Sequence, residues 1–158
     1  MATYNRTVTG GGTVGHPSNA AVPYVITSPV WDTADGGTGG DVVQLIDVPA
    51  DTMIVAGCLE VLEARGNGQI TMDIGWTGGD VDCFIDGSVV AAGFTPFLEA
   101  AVGASGANAR MLTSADTIDA LILDGGASGE SAARFRIHVV MVDVSVNPVE
   151  SATVSTGT

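Results

Sequence analysis

The segment RFRIHVVMVDV, Arg134 to Val144, leaves the chain few options. Phe135, Ile137, Val139 and Met141 recur at every second position, while Arg134, Arg136 and His138 fill the places between them. A helix would scatter those four apolar residues around its circumference, whereas a strand lines them up on one face. From Val140 onward both sets become apolar, which predicts that this end of the strand is covered on both sides.

The same period recurs along the chain. In QITMDIGW, Ile70, Met72, Ile74 and Trp76 share a face opposite Gln69, Thr71 and Asp73. DVVQLIDVPADTMIVAGCLEVLEAR reads as two strands, Val42 to Val48 and Met53 to Ala64, joined at Pro49-Ala50-Asp51. Proline presets φ in such a turn, and the Asp side chain can bond its own backbone two residues on. SADTIDALILD adds a strand over Thr117 to Leu123, and the intervening pieces ARGNGQ, WTGGDVD, GASGAN and DGGASGES are turn-formers. Short strands at regular spacing with such turns predict an all-β fold, an antiparallel β-sandwich or jelly-roll-like barrel. One short helix at most is expected, in TPFLEAAVGA, with Thr95 as N-cap and Pro96 at the first helical position. A loop carrying Phe94, Phe97 and Leu98 into the core reads equally well there.

Residues 1–40 are Gly-rich around the apolar piece VPYVITSPVW and read as an extended arm, with Tyr24, Val25, Ile26 and Trp31 docking on the main domain or on a neighbour. Residues 41–146 form the expected β-sandwich domain, and 147–158 a flexible C-terminal tail.

Charge narrows the partners. The 158 residues carry a formal net charge of −13, contain no lysine, and have five scattered arginines, Arg6, Arg65, Arg110, Arg134 and Arg136. Such a chain repels phosphate backbones and lacks the basic stripe that nucleic-acid binding requires. No apolar run reaches bilayer-spanning length, and the N-terminus lacks a basic region followed by an apolar one, so neither a membrane span nor a signal peptide is expected. Cys58 and Cys83 lack metal-type spacing and read as free buried thiols.

Asp80, Asp82 and Asp86 are the nearest thing to assembled chemistry. Three carboxylates are hard oxygen donors and would suit a structural calcium ion. Against this, Gly87 follows the third Asp, no Glu closes the ring, and Cys83, Phe84 and Ile85 intervene, so an acidic turn leading into a short strand is the simpler reading. His16 lies in the arm and His138 on the polar face of a strand, and neither is paired by sequence with a nucleophile. TGGGTVG lacks the rest of a phosphate-binding loop, and no serine sits in a nucleophile motif. No catalytic residues, and hence no enzyme, are expected. Arg134 and Arg136 read either as a solvated face or as an interface contact.

Taken in order, VPADTMIVAGCLEVLEA, GQITMDIG, DCFIDG, LTSADTIDALIL and ARFRIHVVMVDV resemble small structural proteins encoded near the major coat protein of tailed bacteriophages. In that family a PAGT turn, a TATVDIGDG…DGFLDG core, a TAADTIDLT strand and a C-terminal AVIRVxAxVVD strand recur in this order. The resemblance spans about Val42 to Val144. It departs at IGWTGGDVD, which is more acidic and carries Trp76, and in the longer arm. It implies a virion protein made in the host cytoplasm, a head decoration or cement protein that binds the major capsid protein on the capsid surface and forms a homotrimer. The alternatives are a tail, neck or fibre-associated protein, and a calcium-stabilised glycan-binding β-sandwich using exposed aromatics such as Trp31 or Trp76.

Overall fold

The structure is a computed structural model that describes residues 3–9, 23–35, 39–64, 71–76, 79–89, 92–97, 110–124 and 133–145; for 3–9, 88, 89, 110 and 124 it describes the backbone alone. Eleven strands are present among these: β1 (Thr3–Thr9), β2 (Pro23–Thr27), β3 (Trp31–Asp32), β4 (Val42–Val48), β5 (Thr52–Glu63), β6 (Thr71–Trp76), β7 (Ile85–Val89), β8 (Gly93–Pro96), β9 (Arg110–Leu112), β10 (Asp116–Asp124) and β11 (Arg134–Asp143). A single 3₁₀ turn, Thr33–Asp35, follows β3.

The first sheet has the order β1-β4-β10-β6-β7. The second runs β2-β11-β5-β8, with β3 continuing the β11 edge and β9 the β5 edge. All pairings are antiparallel except that of β1 with β4. The two sheets curl into a half-barrel around one core. Into it point Ile46, Ile118, Ile74 and Met72 from the first sheet, and Leu59, Val61, Phe135, Ile137 and Val139 from the second. The four alternating residues of β11 are all fully buried, as their period predicts. Val142 is buried beside Met141, so the far end of that strand is covered on both faces.

Residues 23–32, read from the sequence as part of an arm, build an edge of the second sheet. Ile26 and Trp31 (2% exposed) enter the core and Tyr24 packs against it, whereas Val25 faces outward at 67% exposure. Pro29 has no N–H to give the ladder, which is tolerable on an edge strand. Ser28 bridges the interruption: its N–H donates to the Ile137 carbonyl at 2.9 Å and its Oγ accepts the Ile137 N–H at 3.0 Å. Thr33 completes the seam, donating to the Ala133 carbonyl and accepting the Ala133 N–H on its Oγ1.

Thr95 and Pro96 lie in β8 rather than at a helix start. The strand wins locally because β8 has the β5 edge to pair with, Leu59 against Thr95 and Cys58 against Pro96. Phe97 then folds over Gly57 and packs on the core, while Phe94 stays 68% exposed. Leu98, His16 and the C-terminal tail lie outside the described residues. Asp51 adopts φ of 56° in the Pro49 turn, a conformation that Asp accepts more readily than most residues.

Candidate functional site

The acidic stretch is the connection between β6 and β7. It folds back on the sheet it leaves: the Trp76 N–H donates to the Asp80 carbonyl at 3.1 Å, and the Phe84 N–H to the Ile74 carbonyl at 2.9 Å. Gly75 makes this fold possible. A Cβ there would stand 2.2 Å from the Asp80 carbonyl oxygen and 2.4 Å from the Val81 carbonyl carbon, where no side chain fits. The apolar trio closes the core below. Phe84 meets Trp76 edge-on at 4.7 Å between ring centroids and stacks on Phe97 at 4.7 Å, so one aromatic chain links the two sheets.

Asp80 and Asp86 are exposed and Asp82 is half-buried. Among the described residues no three His, Cys, Asp or Glu side chains gather in an arrangement able to hold a metal ion. The charge of Asp82 and Asp86 is felt instead by Asp73, whose Oδ1 accepts the Gly87 N–H at 2.7 Å. Burial, first of all, and then those two neighbours raise the Asp73 carboxyl above its usual range, while the Gly87 bond pulls it back.

The outer face of the second sheet holds the most connected polar group described, which sequence spacing did not reveal. Register places Thr27 beside His138 and Glu60 beside Arg136. Thr27 Oγ1 lies 2.8 Å from His138 Nδ1, and His138 Nε2 lies 2.9 Å from Glu60 Oε2. Arg136 Nε donates to that same oxygen. Arg136 and then His138 hold the Glu60 carboxyl below its usual range. Thr27, His138 and Glu60 have the connectivity of a nucleophile, base and orienting acid. Arg136, however, donates to the same Glu60 oxygen that faces His138, so the group acts as a clamp across β2, β11 and β5. Arg134 stands at the end of the face, 4.0 Å from Asp32 and opposite Glu63.

Cys83 is buried; Cys58 is only partly so, on the outer face opposite His138, and neither is in a disulfide. Burial, then Glu60, pushes the Cys58 thiol up. Trp31 and Trp76 (8% exposed) belong to the core, which removes the exposed aromatic platform that glycan binding through them requires.

No protein-family profile and no curated protein matches the chain. Solved structures do. A chain of the cyanophage Pam1 capsid asymmetric unit superposes with a TM-score of 0.62 at 13% identity, covering 84% of this chain and 94% of that one. A chain of the Ralstonia phage GP4 capsid gives 0.60 at 18% identity, with 81% and 88% covered. A chain of the acidic stable capsid of Helicobacter pylori bacteriophage KHP30 gives 0.57 at 16% identity, with 77% and 88% covered. The shared property is the fold of a phage capsid chain. Because coverage is high in both directions, the likeness in fold extends over about four fifths of this chain and most of each of the others.

Proposed function

We propose that this chain is a capsid decoration (cement) protein, which binds the major capsid protein on the outer surface of a phage head and stabilises the coat lattice as a homotrimer. The carrying observation is the match in fold, over about four fifths of this chain and most of each of the others, with chains of three phage capsids. The order of turn and strand motifs from Val42 to Val144 favours the decoration role among capsid roles. A rigid core bearing exposed apolar side chains such as Val25 and Phe94 on its second sheet fits a protein that docks rather than reacts.

Counting this chain against the major coat protein by quantitative mass spectrometry of purified particles tests the reading. Hundreds of copies per particle are expected. A handful would assign the chain to the tail or neck, and none would end the virion reading. Residues 10–22, between β1 and β2, are proposed to reach across coat subunits. Replacing them with a Gly/Ser linker of equal length keeps both strands, and should abolish particle binding while the near-ultraviolet signals of Trp31 and Trp76 persist; unchanged binding would refute the arm.

A further inference from the structure

The outer face of the first sheet carries one side chain whose charge the fold leaves uncompensated. Asp119 sits in the middle of β10, between β4 and β6, and is 4% exposed. Neither of its carboxyl oxygens has a hydrogen-bond partner among the described residues. Thr117, on the same face, accepts a long bond from Gln44 Nε2 at 3.4 Å, and its hydroxyl favours the ionised form of the Asp119 carboxyl against the effect of burial. The cross-strand neighbours of Asp119 are Gln44 and Gly75. Cross-strand partners share a face, so the backbone of Asp80 and Val81, which fills the place of a Gly75 side chain, lies on the sheet right beside Asp119.

Nothing described nearby offsets a negative charge there. Asp116 stands on the same strand, Asp47 on β4, Asp73 on β6, Asp80 and Asp82 in the connection and Asp86 on β7. The cationic side chains described, Arg134, Arg136 and His138, all belong to the second sheet.

We propose that residues 79–84, the described part of the β6–β7 connection, are a proton-operated latch, closed over the sheet while Asp119 is protonated and released when Asp119 ionises. A buried carboxylate without donors is strongly unfavourable, so it must either keep its proton or gain water. The strands around it are fixed by their ladders. The connection is the neighbour that can lift, since giving up the Trp76 to Asp80 bond breaks no strand pairing. Burial foremost, with Asp116 adding and Thr117 opposing, pushes the Asp119 carboxyl up to about 7, so the change falls near neutral pH.

Residue-resolved hydrogen exchange on the full chain, corrected for the intrinsic pH dependence, tests this. Protection of the Trp76 amide should fall by up to about tenfold per unit between the ordinary carboxylate range and about pH 7 and level off above it, while that of the Ile137 amide, bonded to Ser28 on the other sheet, stays level. In Asp119→Asn, which keeps the shape without the charge, Trp76 protection should be flat. The carboxyl carbon shift of Asp119 in the unmodified chain gives a reading that does not depend on the variant folding, and its midpoint should fall where the loss of Trp76 protection levels off. A flat Trp76 profile in the unmodified chain, a fall shared equally by Ile137, or an Asp119 midpoint in the ordinary carboxylate range would each overturn the latch.

Discussion

The two sheets share a core but treat their outward-facing charges in opposite ways. On the second sheet Glu60 meets Arg136 in cross-strand register and His138 diagonally, and partial exposure lets water complete their solvation. On the first, Asp73 and Asp119 are buried with further carboxylates, Asp82, Asp86 and Asp116, as the charges they feel. One arrangement lowers a carboxyl and the other raises two. Burial of a charge is therefore no guide to its stability: what matters is whether donors come with it.

The largest effect separating the sheets should come from their glycines. Gly75→Ala forces a Cβ against backbone, and is expected to destabilise by about 3 kcal/mol or more in urea unfolding. Gly57→Ala meets the Phe97 ring instead, 2.3 Å away, and a side chain can turn aside, so about 1–2 kcal/mol is expected. Equal losses would mean that the β6–β7 connection is no more rigid than a ring.

Asp119→Asn comes next. The folded state holds the Asp119 proton up to about pH 7, whereas the ordinary value is 3.8. The contribution of this carboxyl to stability is thus full below the ordinary value and is lost as the pH rises through about 7. Unfolding midpoints should therefore be similar for the two chains at acid pH, and Asp119→Asn should be more stable by roughly 2 kcal/mol at alkaline pH. Glu60→Gln should show the opposite sense. Its lowered carboxyl stabilises above the ordinary value of 4.5 and loses that contribution as the pH falls, so a small deficit in the variant at neutral pH should shrink in acid.

The smallest change in stability is expected for Phe94→Ser, within about 0.5 kcal/mol of the parent, because Phe94 already faces solvent. If the second sheet docks on a particle, the same variant should bind particles more weakly in a sedimentation assay. Unaltered binding would move the docking surface elsewhere.

Much of this was legible as pattern. Alternation assigned Phe135, Ile137, Val139 and Met141 to the core because a strand has only two faces, and the turn at Pro49 to Asp51 followed from residues with narrow φ preferences. The β8 strand was harder: Thr95-Pro96 has good helix-start chemistry, yet the open β5 edge offered more hydrogen bonds than a short helix would.

What the chain by itself determined is which residues are apolar in period two, where the turns fall, and that an acidic chain with five arginines and no lysine must ration its ion pairs. Tertiary structure decided which charges meet. His138, Glu60 and Thr27 are far apart in sequence and become neighbours only through strand register. Likewise, alternation puts Asp119 on a polar face, and only the folded chain shows it buried, beside a Gly75 whose missing side chain makes room for the backbone of Asp80 and Val81. Periodicity is a local property of the chain, whereas the environment of a charge depends on every element that packs around it.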